Sequence, residues 1–265
     1  MNTFKKHNIK ILGDSEKTML LAHGYGCDQV MWRFLSPAFQ DEYRVVLFDH
    51  VGAGKSDLSQ YSREKYGSLN GYADDVLEII EAVEGAPVVF VGHSVSSMIG
   101  ILAANKKPEY FSRLILVGPS PCYINDKEYV GGFTRVDIEG LLQTLDANHL
   151  GWSQAMAPVI MKNDARPELA AELADSFCRT DPAIAKHFAR VTFLSDNRAD
   201  LSRLSVPALV MQCSDDSIAP QAVGEYVHRQ LAGSRYVSLK ATGHCPHLSA
   251  PAETIQSIKE YLEQP

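Results

Sequence analysis

The apolar residues of this chain fall into short, nearly continuous runs separated by segments with helical periodicity. Strands buried on both faces of a parallel sheet have this character, because neither face needs polar side chains. Between two of the runs, apolar residues recur at helical spacing over 72–83, and Gly85 and Pro87 then end the helix. Alternating strands and helices predict a doubly wound, mostly parallel α/β sheet. The predicted strands are 19–22, 44–48, 88–91, 114–117, 208–211 and 236–239.

The alternation breaks between about residues 121 and 205, where no convincing strand pattern is present. We interpret 121–205 as a helical insertion over the strand ends of a core made of residues 1–120 and 206–265. An independent second domain is the alternative, but the strand pattern resumes cleanly at Ala208. Prolines at 158, 167 and 182 punctuate the amphipathic segments of the insertion, which are 138–148, 152–161, 167–177 and 182–193.

The composition of the chain argues against several classes of partner and site. The chain has 265 residues and a formal net charge of −7, with no basic cluster, which argues against nucleic acid and anionic membranes as partners. No apolar run approaches the length of a membrane span, and the N-terminal segment lacks the apolar region of a signal peptide, so a cytoplasmic location is expected. The five cysteines are scattered and odd in number, which favours free thiols over disulfides or a metal site.

Residues 88–100 contain the most informative motif. An apolar strand runs into Gly92, then Ser94, then a helix of small residues, which is the context of the nucleophile elbow G-x-S-x-G. The turn must be tight enough to strain the serine backbone and to present its hydroxyl above the sheet. Ser96 stands where the pattern has its second glycine; serine is small enough to be accommodated, although the pattern alone is weakened.

An acid and then a histidine must follow the serine in hydrolases that use this elbow. Asp215 and Asp216 follow the predicted strand at 208–213, and His244 follows the strand at 236–239. The acid and the histidine therefore lie at the carboxyl ends of strands, where open parallel sheets place their sites. The histidine would take the proton of Ser94 and later protonate the leaving group, while the acid would fix the imidazole tautomer. Spacing alone does not choose between the two acids, or between His244 and His247.

A developing oxyanion needs two preorganised N–H donors. One is expected from Val95, the residue after the nucleophile, and the other from the loop after the early strand, where Tyr25 is our candidate. The side chain of His23 in the same loop is expected to be structural. The segment 51–57 ends in Gly-Lys-Ser, but it lacks the spacing of a P-loop or a dinucleotide fingerprint. No cofactor and no metal ion are therefore expected.

These features resemble the RsbQ-like α/β-hydrolases of bacterial general-stress signalling and, more distantly, the plant karrikin and strigolactone receptors. The resemblance covers almost the whole chain. Its most specific parts are the strings Gly-Pro-Ser-Pro-Cys-Tyr and Gly-His-Cys-Pro-His. The matching segments are 48–54, 92–95, 117–123, 131–133, 176–178, 219–220 and 243–247.

The resemblance implies roles that spacing left open. It assigns the acid to Asp216 and the base to His244, and it makes the insertion a four-helix cap over a hydrophobic cavity. It also implies a small hydrophobic signal molecule as ligand or substrate, and a PAS-containing phosphatase as partner in positive regulation of a stress response. The implied cavity wall consists of residues that could equally form ordinary cap core, namely Phe133, Trp152, Met156 and Phe193.

Three functional hypotheses follow from the sequence. The first is a signalling hydrolase that processes or senses a small apolar ester- or lactone-like molecule. The second is a stand-alone metabolic carboxylesterase, and the third is a ligand-binding receptor with vestigial turnover. Ser96, where RsbQ-like proteins carry glycine, leaves the substrate and the rate of turnover open.

Overall fold

A single sheet forms the centre of the molecule. The structure, a computed structural model, describes residues 2–264. Its strands are β1 Lys10–Leu12, β2 Thr18–Ala22, β3 Arg44–Leu47, β4 Val88–His93, β5 Phe111–Val117, β6 Ala208–Asp215 and β7 Arg235–Thr242. Within the described residues they lie in the order β1-β3-β2-β4-β5-β6-β7. Only the pairing of β1 with β3 is antiparallel, so the predicted doubly wound, mostly parallel sheet is confirmed.

The strand β1 was not predicted from the sequence. It spans three residues, and its side chains are exposed or half-buried because it lies at the edge of the sheet. A short, partly polar edge strand has neither the alternation nor the continuous apolar run that identifies a strand. The prediction of the central strands does not depend on β1.

The central strands are apolar on both faces because helices cover both. Along β4, Val88 and Phe90 belong to one buried cluster, whereas Val89 and Val91 belong to the cluster on the opposite face. Successive side chains of a strand point to opposite faces, so a strand covered on both sides reads as one continuous apolar run. The helices are α1 Thr3–Lys6, α2 Leu69–Ala82, α3 Val95–Lys106, α4 Arg135–Ala147, α5 His149–Met161, α6 Pro167–Arg179, α7 Pro182–Phe193, α8 Arg198–Leu201, α9 Gln221–Gln230, α10 Pro246–Ser249 and α11 Pro251–Leu262.

Helices α4 to α7 lie between β5 and β6, in the region where the strand pattern breaks. Each begins at a residue that favours a helix start: Thr134 and Asp137 form a capping box for α4, Asn148 caps α5, and Pro167 and Pro182 open α6 and α7. Their apolar sides enclose a third buried cluster, distinct from the two faces of the sheet. Among residues 2–264, no helix combines the length and the apolar character needed to cross a membrane.

Pro158 lies within the predicted segment 152–161 and does not interrupt it. It lies inside α5, which continues to Met161. A proline near the end of a helix removes a single hydrogen bond, and buried side chains on either side of it, among them Ala157 and Ile160, hold the last turn in place. Pro167 and Pro182 do stand at helix starts, as the pattern predicts.

Candidate active site

Ser94 occupies a sharp turn between β4 and α3. Its backbone has φ 56° and ψ −124°, a conformation that costs a non-glycine residue about 1–3 kcal/mol. The surrounding structure holds it there, since the Ser94 N–H donates to the Val117 carbonyl of β5 at 2.8 Å. The close approach of α3 to β4 explains the preceding glycine, because a Cβ on Gly92 would lie 2.5 Å from the Ser96 carbonyl oxygen.

A continuous hydrogen-bonded chain joins Ser94, His244 and Asp216. The Ser94 Oγ lies 2.8 Å from His244 Nε2, and His244 Nδ1 lies 2.7 Å from Asp216 Oδ2. The three side chains are buried. They are close in space although they follow β4, β7 and β6, which are far apart in the sequence. They meet because the carboxyl ends of parallel strands lie at one edge of the sheet.

The surroundings of Asp216 keep it ionised and oriented. Its Oδ1 accepts the N–H groups of Ile218 at 2.8 Å and Ala219 at 3.0 Å, and Gln212 Nε2 donates to its Oδ2 at 3.2 Å. Burial opposes the charged form, but attraction to His244 and the hydrogen bonds that the carboxylate accepts outweigh it and lower the pKa of Asp216. An ionised Asp216 accepts the Nδ1–H of His244 and leaves Nε2 free to accept the Ser94 hydroxyl proton.

The competing acid and the competing histidine lie elsewhere. Asp215 is exposed, and its carboxylate is 2.6 Å from the Lys162 ammonium. His247 is buried in α10 with its ring centroid 4.8 Å from that of Trp32. Burial, with the neighbouring charges of His244 and Arg33, lowers the pKa of His247 to about 3. The geometry therefore brings Asp216 and His244 to Ser94, and not Asp215 or His247.

The two expected oxyanion donors, Tyr25 and Val95, belong to a loop and a helix start that meet at the elbow. Among residues 2–264 neither the Tyr25 N–H nor the Val95 N–H has a protein acceptor, so both are free to bind an oxygen atom. The loop that carries Tyr25 reaches the elbow through Gly24, where a Cβ would lie 2.7 Å from His93 Nδ1. His23 is fully buried and bonded to backbone groups, which agrees with a structural part for its side chain.

A narrow apolar cavity opens at Ser94 and His244. The volume of this cavity is ≈ 30 Å³. Three of the four expected wall residues, Trp152, Met156 and Phe193, line this cavity. Its full lining is Tyr25, Cys27, His93, Ser94, Tyr123, Trp152, Met156, Ile160, Leu173, Phe177, Thr192, Phe193, Ile218, His244 and Cys245.

Phe133, the fourth expected wall residue, does not line the cavity. It is half-buried and packs against the outside of the same apolar cluster. Its backbone holds it there, because its N–H donates to the Tyr123 carbonyl at 3.1 Å and its carbonyl accepts the Asn125 N–H at 2.8 Å. Tyr123, on the other side of this bonded pair, contributes to the wall instead.

Several residues line the cavity that were not predicted from the sequence to form its wall. Tyr25, Cys27, Tyr123 and Cys245 come shortly after β2, β5 and β7, at the strand ends where sites of parallel sheets form. Their position in the chain was therefore a usable signal. Ile160, Leu173 and Phe177 lie on the buried sides of α5 and α6, and helical periodicity does not separate a cavity wall from ordinary core.

One cluster of potential metal ligands lies near α1 and α2. His7, Asp75 and Glu78 place ligand atoms within 4.8 Å of one another. The Lys6 ammonium already lies 2.8 Å from Asp75 Oδ1 and 2.5 Å from Glu78 Oε2, and the Lys65 ammonium lies 2.5 Å from Asp75 Oδ1. The Lys6 and Lys65 ammonium groups both contact Asp75, and that of Lys6 also contacts Glu78, so the cluster is an ion-pair network.

Comparison with known proteins identifies the family. The family described as "Alpha/beta hydrolase family" matches residues 19–257. The chain is an α/β-hydrolase. Its sheet, with one antiparallel edge strand and helices on both faces, is the fold of that family.

This α/β-hydrolase resembles plant receptors and esterases along nearly its whole length. It is 38% identical to Karrikin insensitive 2 receptor CA of Petunia hybrida over 257 residues, which cover 97% of this chain and 95% of the relative. It is 37% identical to Strigolactone esterase D14 of Arabidopsis thaliana, covering 98% of each chain. Among solved structures, a hydrolase from Oleispira antarctica has 42% identity and a TM-score of 0.97, with 100% of this chain and 97% of that chain covered.

The contrast between the two adjacent acids gives a direct test of the site. We expect Asp216→Asn to lower kcat for an aryl acetate by roughly 10³- to 10⁴-fold, because an amide at this position favours the wrong imidazole tautomer. Asp215→Asn removes only an exposed ion pair with Lys162 and is the matched control, expected to stay within about twofold of the parent because exposed pairs contribute little. Steady-state kinetics of the two variants on one substrate makes the comparison. Equal, small losses would show that another acid serves His244.

Proposed function

We propose that this α/β-hydrolase is a serine hydrolase that cleaves ester bonds in small, mostly apolar molecules, lactones included. The observation that carries the proposal is the unbroken hydrogen-bonded chain from Asp216 through His244 to Ser94, ending in a narrow apolar cavity. Relatives named as esterases support the reaction class.

The proposed first step acylates the serine. Ser94 Oγ attacks the ester carbonyl while its proton passes to His244 Nε2, 2.8 Å away. The imidazolium that forms is stabilised by the Asp216 carboxylate 2.7 Å from Nδ1. The carbonyl oxygen becomes an oxyanion and binds the free N–H groups of Tyr25 and Val95.

The second half of the reaction restores the enzyme. When the tetrahedral intermediate collapses, the C–O bond to the leaving alkoxide breaks and His244 returns its proton to that oxygen. Water then attacks the acyl-serine as His244 removes its proton. When this second intermediate collapses, the bond between the acyl carbon and Ser94 Oγ breaks, His244 returns the proton to Ser94 Oγ, and the carboxylic acid product is released. With a lactone the leaving alkoxide stays tethered to the acyl group, so the product is a single hydroxy acid.

The cavity determines which molecules are accepted. Its wall contains no lysine or arginine side chain among residues 2–264, so an anionic ligand would lose its hydration without a compensating charge. The cavity volume of ≈ 30 Å³ leaves little free space beside Ser94. We therefore expect small, uncharged substrates, and larger ligands to require movement of the wall.

The proposal includes a cap role for residues 121–205, in which helices α4 to α7 close the cavity over Ser94. Hydrogen bonds support this role: Ser176 Oγ donates to the Gly26 carbonyl at 2.9 Å, and the His244 N–H donates to the Ile160 carbonyl at 2.8 Å. Ligand passage would then depend on motion of these helices, which makes slow turnover the expected regime.

Receptor function is the second candidate, and the name of the Petunia relative favours it. In a receptor, ligand binding to the Ser94→Ala variant would still raise the thermal midpoint, and turnover would be slow. Fast hydrolysis of many simple esters would instead favour a metabolic carboxylesterase. The role in stress signalling with a PAS-domain phosphatase stays a prediction of the resemblance to RsbQ-like hydrolases, and the cytoplasmic location stays an expectation from the sequence.

Replacing the nucleophile tests the reaction class. We expect Ser94→Ala to lower kcat on nitrophenyl acetate by on the order of 10⁴-fold or more, because only the attacking atom is removed. His244→Ala should lose a similar amount, and the double variant little more, since the two residues act as one unit.

A fluorophosphonate probe provides the matching control for the nucleophile. It should add one phosphonyl group to the parent at Ser94 and none to the Ser94→Ala variant, as read by mass spectrometry. Near-normal hydrolysis by a correctly folded Ser94→Ala protein would contradict the proposed function.

Acyl-chain length tests the narrow cavity. We expect kcat/KM for nitrophenyl esters to be highest at acetate or butyrate and to fall sharply beyond, because Trp152, Met156 and Phe193 leave little space beside Ser94. A series from acetate to dodecanoate, measured below the solubility limit of each ester, gives the profile. Good activity on the dodecanoate would favour the general esterase over the small-ligand enzyme.

A further inference from the structure

Ser96 departs from the elbow pattern, and its side chain makes specific contacts. It stands at the second glycine position of G-x-S-x-G and is completely buried. Its Oγ donates to the His23 carbonyl at 2.5 Å, and His50 Nε2 lies 2.8 Å from the same oxygen. The hydroxyl therefore joins the start of α3 to the loops that follow β2 and β3.

The chemistry of the groups fixes the direction of each hydrogen bond. A carbonyl oxygen only accepts, so the single proton of the Ser96 hydroxyl goes to His23, and His50 must donate from Nε2. The His50 main-chain N–H in turn donates to His23 Nε2 at 3.1 Å, which places the ring proton of His23 on Nδ1, where it donates to the Gly24 carbonyl at 2.9 Å. Three residues thus form a closed, buried ring of directional hydrogen bonds.

This ring joins the two segments that carry the candidate oxyanion donors. Ser96 is the next residue after Val95, and His23 is two residues before Tyr25. The two N–H groups belong to different segments, the start of α3 and the loop after β2, and their separation must stay fixed to bind one oxygen atom. The Ser96 hydroxyl is a direct side-chain bond between those two segments.

We propose that Ser96, held by His50, is a positioning residue that keeps the Tyr25 N–H and the Val95 N–H at the separation required by the oxyanion. A glycine at this position would lack the bond to the His23 carbonyl and would leave His50 Nε2 without an acceptor. The inference rests on the proposed serine-hydrolase function, because it assigns Ser96 to the stabilisation of that reaction's tetrahedral intermediate.

The test compares two buried serines on the same helix. Ser96→Ala removes the hydroxyl that bonds to the loop after β2, whereas Ser97→Ala removes an equally buried hydroxyl that donates to the Gly92 carbonyl of β4 at 2.9 Å. We expect Ser96→Ala to lower kcat for nitrophenyl acetate by roughly 10- to 100-fold with KM changed less than about twofold, since complete loss of one oxyanion donor costs about 10²–10³ in kcat. Ser97→Ala should keep kcat within about twofold of the parent. It should lower the thermal midpoint by about as much as Ser96→Ala does.

A transition-state analogue separates positioning from general loosening of the fold. A small alkyl trifluoromethyl ketone adds to Ser94 and places an oxyanion in the hole. Its affinity should fall in Ser96→Ala by the same factor as kcat/KM, and should be unchanged in Ser97→Ala. Ser96→Gly is the second variant in case alanine impairs folding, because glycine is the residue of the elbow pattern at this position; it should show the same loss.

The outcomes distinguish a failure of the Ser96 positioning role from a failure of the proposed serine-hydrolase function. If Ser94→Ala is inactive but Ser96→Ala and Ser96→Gly behave as Ser97→Ala does, in kcat and in ketone affinity, the positioning role is wrong and the proposed function stands. If folded Ser94→Ala retains activity, the proposed function fails and the positioning role fails with it. A loss of kcat in the Ser96 variants that is matched by the ketone supports the inference.

Discussion

The site depends on one backbone constraint, the left-handed conformation of Ser94 at the junction of β4 and α3. This conformation is unfavourable for serine, but it is maintained because β4 is buried on both faces and because the Ser94 N–H donates to the Val117 carbonyl. The turn fixes the positions of two groups together, because the Ser94 hydroxyl, the proposed nucleophile, and the Val95 N–H are both part of it. Gly92 is required by the same constraint, because no Cβ fits between β4 and the first turn of α3.

The parallel topology of the sheet and the helices α4 to α7 bring the remaining residues of the candidate site to Ser94. Loops after β2, β6 and β7 converge on Ser94 because their strands end at the same edge of the sheet. Helices α5 and α7 bond to two of these loops, through the His244 N–H to the Ile160 carbonyl and the Tyr25 hydroxyl to the Ala185 carbonyl at 3.0 Å. Displacement of these helices would therefore disturb His244 and Tyr25 as well as the cavity, which couples ligand passage to the geometry of the proposed reaction.

The sequence predicts those features that depend on local pattern or on order along the chain. Six strands and the elbow were predictable because continuous apolar runs and a strand–turn–helix motif leave local signals. The choice of Asp216 over Asp215 was not available from spacing, because a shift of one residue at a strand end turns a side chain from the site to solvent. Phe133 was misplaced for a similar reason: a bonded pair of backbone segments, not periodicity, decides whether Phe133 or Tyr123 faces the cavity.

The buried histidines near the site differ from His244 in one respect, the absence of a carboxylate partner among the described residues. Burial lowers the pKa of His23, His50, His93 and His247 and, within residues 2–264, none of these four is hydrogen-bonded to a carboxylate. His244, in contrast, lies 2.7 Å from a carboxylate oxygen of Asp216. In the proposed reaction this carboxylate would stabilise the proton that His244 takes from Ser94, and none of the four neighbouring histidines has such a partner in the part of the chain that the structure describes. In apolar surroundings one carboxylate opposite the imidazolium and two N–H groups opposite the oxyanion act with little screening by water, so the charges of the proposed transition state are matched where they form.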